Sequence, residues 1–417
     1  MTGCLFKNPF RPGPGHMPPH LAGRQKETEE FVRLLGQDVI LENLVLTGLQ
    51  GIGKTVLHDT FKPRAIHQGW GWVGTDLSES SSITEERLAE RLMTDLAVVT
   101  SSLVLETDEY LTMGLRPEQK RISRRLDFQT MEELFDQTPG LVSDKLKAVL
   151  ELVWQCMQRE GQTGLIFAYD EAQNLSDHAA KDEYPLSLML DVFQSIQKKE
   201  IPFMLVLVGL PTLFPKLVEA RTFAERMFSV VILDLLNEED SQDAIVKPIE
   251  NIQWDDCAQR EEFQARVALN KESIPLVIRD SGGYPYFIQF ICRELYDVFL
   301  RKFDAGLRPR APIEEILRKL DNDFYAGRWA QATDRQRELL TVIANLPTCE
   351  SEFTLQEVVE KSRSLLRKPF GPSQVNQMLV ALGNAGLVYK NRHGKYSFAV
   401  PLLGRFILRQ QERHADH

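Results

Sequence analysis

An α/β architecture with a parallel sheet, then a helical segment, then a small end domain, is predicted by three features of the sequence. Through residues 21–235, short runs that are apolar on both faces alternate with helical patterns. Strands of that kind belong to a parallel sheet covered by helices. After Leu235 the strand-like runs stop and amphipathic helical stretches take over, and beyond residue 329 three short helices precede two strand-like runs around a polar turn.

In chain order, residues 1–20 hold the proline- and glycine-rich NPFRPGPGHMPPH and read as an extended arm ahead of the folded body. The core, 21–235, then offers strands at Leu44–Thr47, Gly71–Val73, Leu165–Tyr169, Phe203–Val208 and Phe228–Leu233. Helices are expected after Lys54, from Thr84 and from Leu186. Residues 100–140 are polar and weakly periodic, which reads as an insertion. Its run RPEQKRISRR (Arg116 to Arg125) could meet phosphate, although a solvated face or a mobile loop is the commoner explanation for such charge. Residues 236–328 read as a helical lid.

Residues 329–417 have another rhythm. Helices around Arg335–Ala344 and Leu355–Lys361 precede Ser373–Asn384, which carries Val375, Met378, Leu379 and Leu382 at helical spacing. Leu387–Tyr389 and Tyr396–Phe398 then flank a polar turn with Gly394, as in a hairpin. Three helices and a hairpin make a winged helix. Such a module can lay Ser373–Asn384 in a major groove with Lys390, Arg392, His393 and Lys395 against phosphates. The helix itself has no Lys or Arg, however, so protein contacts or oligomer packing suit it slightly better.

Composition limits the partners. The 417 residues are 43% hydrophobic and 26% charged, enough for two or three domains with real cores. With 49 Lys plus Arg against 59 Asp plus Glu, the net charge of −10 gives no global attraction to nucleic acid. Five scattered cysteines (Cys4, Cys156, Cys257, Cys292, Cys349) read as reduced thiols. His16 and His20 have metal-like spacing, but Pro18 and Pro19 forbid the helix that would align them. The longest apolar stretch, Ile201 to Pro211, is far shorter than the ~20 residues of a membrane span, and the first residues lack the apolar centre of a signal peptide. A soluble, cytoplasmic protein without a membrane partner is expected.

Chemistry enters with LTGLQGIGKT, Leu46 to Thr55, where Gly48, Gly53, Lys54 and Thr55 fit G-x-x-x-x-G-K-[ST] behind a strand. Gly48, Gly51 and Gly53 allow the backbone to turn its N–H groups onto an anion, and the helix beginning at Lys54 adds its positive end. Lys54 would reach the β- and γ-phosphates, the Thr55 hydroxyl would ligate Mg²⁺, and Val56 shares that first helical turn. LIFAYDEAQ, Leu165 to Gln173, supplies the second half: an apolar strand delivers Asp170 for the Mg²⁺ shell and Glu171 as the base on the attacking water. Together they predict a nucleoside triphosphate hydrolase with ATP and Mg²⁺ as cofactors. No GxSxG elbow or HExxH helix points elsewhere.

With LAGRQKE (Leu21 to Glu27) ahead of them, these motifs resemble the AAA+ and STAND branches of the P-loop ATPases, especially origin-recognition-type ATPases that end in a winged helix. The resemblance implies that Arg24 lies by the bound nucleotide. LVLVGLPTLFPKL (Leu205 to Leu217) and ARTFAERMF (Ala220 to Phe228) are similar to transposon-encoded AAA+ regulators and secretion ATPases. In those, an arginine before the fifth strand reaches the neighbouring subunit's γ-phosphate, which implies Arg226 first and Arg221 second. Two departures stand out. Gly209-Leu210-Pro211 occupy the place of the usual polar sensor, leaving Thr212 as a substitute, and GGYPYF offers Gly283 and Pro285 in the STAND manner instead of a sensor arginine. Both bear on hydrolysis and coupling more than on binding. The expected function is an ATP-driven switch that self-assembles and controls an effector or client protein. The alternatives are a DNA loader or target selector using the winged helix, and a signalling or phage-defence ATPase acting through a separate effector.

Overall fold

The computed structural model describes residues 8–78, 80, 83–111, 118–250, 273–304, 311–392 and 394–415. They fall into two compact units: Gln25–Gly48 with Leu57–Ile232, and Met1–Arg24 with Leu49–Val56 and Leu233–His417.

The first unit is the α/β layer. In order it runs α1 (Gln25–Leu35), β1 (Asn43–Thr47), α2 (Lys54–His67, whose first turn belongs to the other unit), β2 (Trp70–Val73), α3 (Glu85–Thr100), β3 (Val104–Leu111), β4 (Glu118–Arg125), α4 (Phe128–Gln137) and α5 (Val142–Arg159). It continues with β5 (Gly164–Tyr169), α6 (Pro185–Gln197), β6 (Phe203–Gly209), α7 (Leu213–Ala220), α8 (Ala224–Met227) and β7 (Phe228–Ile232). Five strands form one sheet in the order β2-β5-β6-β1-β7, every pair parallel. Every residue of β1, β5 and β6 is buried, as strands apolar on both faces require. Leu88, Leu92, Leu146, Val153 and Phe193 from the helices complete the core, with Phe193 edge-on to Phe167 at 4.8 Å.

The polar insertion is more ordered than its composition suggests. β3 and β4 form a separate antiparallel ribbon from Val104↔Arg125 to Leu111↔Glu118, because backbone pairing does not need apolar side chains. Arg116 of the basic run lies outside the described residues, while Lys120, Arg121, Arg124 and Arg125 fall in β4.

The second unit is helical before its end domain. It comprises α9 (Glu238–Glu250), α10 (Ser273–Ser281), α11 (Pro285–Asp304), α12 (Ile313–Leu320), a π-helical turn at Asp321–Tyr325 and α13 (Ala326–Gln331). Then come α14 (Asp334–Ala344), β8 (Phe353–Thr354), α15 (Leu355–Leu365), α16 (Pro372–Asn384), β9 (Val388–Arg392), β10 (Lys395–Phe398) and α17 (Leu403–Ala415). The three strands pair antiparallel in the order β8-β10-β9, so helices and hairpin together make the expected winged helix. Val375, Leu379 and Leu382 are buried and Met378 is half-buried, as the helical spacing requires. Thr333 and Thr354 start α14 and α15 with reciprocal capping boxes to Gln336 and Glu357.

The arm is not free. From Asn8 on, it is strapped along α11: Asn8 donates to Asp297 Oδ1 at 2.7 Å, the Arg11 N–H donates to Gln289 Oε1 at 3.2 Å, and Phe10 is buried edge-on to Tyr296. Proline and glycine predict the absence of helix and strand, but a single buried Phe decides the docking. Cys156, Cys292 and Cys349 are free thiols, whereas Cys4, Cys257 and His393 lie outside the described residues. Among the described residues, no helix is long and apolar enough to cross a membrane.

Candidate functional site

β1 ends at Thr47 and α2 begins at Lys54, so residues 48–53 turn the chain within one short loop. Gly51 and Gly53 take φ of +77° and +94°, where a Cβ is strained. The Lys54 ammonium curls back and donates to the Leu49 carbonyl at 3.0 Å, and Thr55 and Val56 sit in the first turn of α2. Arg24, only 5% exposed, donates to the Ile52 carbonyl at 3.1 Å and the Asp234 carbonyl at 3.0 Å. It therefore ties the loop to the segment leading into α9. Pro285 is the first residue of α11, and the Tyr286 N–H, which has no intrahelical partner in that first turn, donates to the Gly51 carbonyl at 3.3 Å. The arm passes near the same place: a Cβ on Gly15 would lie 3.8 Å from the Thr55 methyl.

The acidic pair is built in the α/β unit. Gly74 approaches β5 so closely that a Cβ there would stand 1.7 Å from the Ala168 carbonyl oxygen. Glycine thus lets the chain after β2 pair onward along β5, with Asp76 bridged to Asp170. The Leu77 N–H donates to the Asp170 carbonyl at 2.9 Å, and Asn174 donates to the Leu77 carbonyl at 2.8 Å. Asp170 is 4% exposed, and its Oδ1 accepts the Glu171 N–H at 2.7 Å. Glu171 is exposed and holds a φ of +52°, a strained value for a residue with a side chain.

Gln173 was not singled out by the motifs. Its amide N–H donates to the Glu171 carboxylate, while its Oε1 accepts the Leu210 N–H at 3.1 Å, at the end of β6. Lys216 donates to the Gln173 carbonyl at 2.7 Å, and burial holds that ammonium below its usual pKa. Gln173 thus joins the acidic turn to the strand end where a polar sensor was missing, and its place in DEAQ was the available signal. His58, one turn into α2, is another buried group: burial holds its imidazole below the usual range although Asp170, Asp59 and Asp76 pull the other way. Its Nε2 has no hydrogen-bond partner among the described residues.

The two candidate arginines separate clearly. Arg221 is committed to Asp191, at 2.8 and 2.7 Å, and to the Ser187 hydroxyl at 2.7 Å. Arg226 is exposed and makes no side-chain hydrogen bond or ion pair among the described residues. It stands just before β7, whose first residue pairs with Asn43 at the start of β1, and Asn43 also grips the Met227 carbonyl at 3.1 Å. Arg226 therefore sits at the sheet edge opposite the one where β5 delivers Asp170.

The two donor groups, each within its own unit, are of the chemical kind that magnesium takes. Thr55 offers a hydroxyl and Asp170 a carboxylate, the hard oxygens that magnesium takes beside phosphates, and no cluster of three or more metal-binding side chains competes among the described residues.

A family model described as a domain of unknown function (DUF8462) matches residues 322–407. No curated protein matches the sequence. Among solved structures, the Aeropyrum pernix ORC2 protein in its ADPNP–ADP complexes is 15% identical, with 95% of each chain covered and a TM-score of 0.52. Its ADP form is 13% identical over 95% of this chain and 97% of that one, again with a TM-score of 0.52. Over nearly its whole length, therefore, the chain shares the fold of the Aeropyrum pernix ORC2 protein.

Proposed function

We propose that the chain binds ATP with magnesium at the Gly48–Thr55 loop, hydrolyses it, and switches a partner protein through nucleotide-dependent assembly with copies of itself. The carrying observation is the parallel sheet: β1 and β5 end on one edge, so the glycine loop and Asp170 both start from that edge. Backbone N–H groups of the loop, Lys54 and the N-terminus of α2 would cradle the phosphates, with Arg24 bracing the loop at Ile52. Thr55 and Asp170 would hold magnesium, which when bound neutralises charge on the phosphate oxygens. Glu171 would take the proton of the attacking water, its carboxylate aimed by Gln173.

Arg226 supports assembly. β7 alone spans about 17 Å at the rise of a strand, so an arginine before it cannot serve the Asp170 edge of its own sheet. A neighbouring subunit's nucleotide is the target its position suits. Calorimetric titration of the full chain with ATP and Mg²⁺ tests the reading: binding should be measurable and lost in Lys54→Ala, and absence of heat with the parent chain would overturn it.

A second reading, DNA as partner, is favoured by α16. Asn376 and Gln377 are exposed there without hydrogen-bond partners among the described residues, and such amides can read adenine in a major groove. Retention on duplex DNA should then fall steeply with salt, and no retention at low salt would exclude it.

A further inference from the structure

A cavity of about 230 Å³ lies where the turn between α10 and α11 meets the end domain, and every residue that lines it belongs to the second unit. Tyr284, directly ahead of Pro285, comes from that turn. Glu350 and Glu352 come from the segment between α14 and β8, Tyr389 from β9 and Ser397 from β10. Leu402 also lines it and holds a φ of +52°, a strained value for a residue with a branched side chain. Room for that leucine depends on Gly282, where a Cβ would come within 3.0 Å of Leu402 Cδ2. Strain of this kind clusters at ligand clamps, where the surroundings hold it in place.

The lining has one sign of charge. Among the described residues that form it there are two carboxylates and two phenols but no Lys, Arg or His. Arg405 of α17 grips Glu350 with Nε on one carboxylate oxygen and Nη2 on the other at 2.9 Å. A carboxylate offers about four acceptor positions, so Glu350 keeps acceptors beyond that pair. The Tyr284 hydroxyl is the sharper sign. The residue is only 7% exposed, yet the hydroxyl has no hydrogen-bond partner among the described residues. Burial, with Glu350 and Tyr389 adding to it, pushes its pKa up to about 12, so it stays neutral. A buried phenol ordinarily finds a partner, and the cavity is where one would sit.

We propose that this cavity binds a small aliphatic cation, a guanidine or amine on a short carbon chain, with its charged head between Glu350 and the Tyr284 hydroxyl. Acceptors and aromatic faces without a cation in the lining attract positive charge. Phe398 and Leu402 give the carbon chain an apolar surface. A cavity of about 150 Å³ can hold benzene, so by proportion this one takes roughly nine non-hydrogen atoms. The assignment stands apart from nucleotide binding, since Lys54, Thr55 and Asp170 do not line the cavity. Leu49 of the phosphate loop does, so an occupant touches the loop and the hairpin together.

The test titrates the full chain calorimetrically with butylguanidine and with N-butylurea, a neutral molecule of the same shape. Butylguanidine should bind saturably with a Kd of about 1 mM or tighter, and N-butylurea at least about tenfold more weakly. Glu350→Gln should weaken butylguanidine about tenfold or more, and Tyr284→Phe about threefold to tenfold. Tyr284→Phe removes a hydroxyl that bonds to nothing in the fold, so it carries the readout if Glu350→Gln, which breaks the pair with Arg405, does not fold. No saturable binding of butylguanidine, equal binding of N-butylurea, or an affinity unmoved in either variant that folds would overturn the assignment.

Discussion

The amide of Gln173 holds the carboxylate of Glu171, and its other end is fastened to the Leu210 N–H. A general base works only when its oxygen is kept in line with the water it deprotonates. Gln173→Ala should therefore lower ATP turnover about tenfold while leaving the nucleotide dissociation constant unchanged. Paired turnover and binding measurements check this, and a matching loss of affinity would make Gln173 a structural residue only.

Arg226 and Arg221 should fail differently. Arg226→Ala removes an exposed, unbonded side chain, so the melting temperature should stay put while assembly-dependent turnover falls by about 10²-fold or more. Arg221→Ala breaks a half-exposed pair with Asp191 and should cost about 1 kcal/mol of stability. Mixing Arg226→Ala with Glu171→Gln subunits tests the trans geometry: turnover should partly return, and none returning would count against it.

The Asp321 ion pairs predict an asymmetry. Asp321 is fully buried, whereas Arg409 and Arg413 are 23% and 36% exposed. Asp321→Ala leaves two cations with a path to water and should cost about 2–3 kcal/mol. The double variant Arg409→Ala, Arg413→Ala strands a buried carboxylate and should cost more, about 3–5 kcal/mol. Urea unfolding of the full chain measures the order.

His58 predicts a pH dependence. Burial lowers its folded pKa below the unfolded value of about 6.5, so the folded state binds the proton less well. Its contribution to stability is then complete above about pH 6.5 and is lost as pH falls, by up to about 1.4 kcal/mol per pH unit. Melts in EDTA between about pH 8 and pH 5.5 should show this slope in the parent chain and a flatter one in His58→Leu.

Much of this was legible because local chemistry dictated it. The glycines that turn the loop, the strand that delivers Asp170 and Glu171, and the spacing of Val375, Leu379 and Leu382 each declare themselves within a few residues. Gln173 is the intermediate case, visible in DEAQ but meaningful only once Leu210 is beside it. The contacts of Arg328 with Gln50 and of Asp321 with Arg409 join residues far apart in the chain, so no window of sequence carries them. Phe10 was hidden for another reason: proline-rich composition says what a segment cannot form, not what it lies against. The β3–β4 ribbon escaped because its polar residues lack the alternation by which a half-buried strand is recognised.

ATP turnover and ATP retention in Glu171→Gln test the proposed chemistry most sharply. The buried Asp170 and the glycine loop are untouched by this change, so ATP should still bind, while hydrolysis should fall at least about 10²-fold and the bound nucleotide should be recovered as ATP. Turnover equal to that of the parent chain would contradict the assignment of Glu171 as the base, and with it the proposed chemistry of the acidic pair.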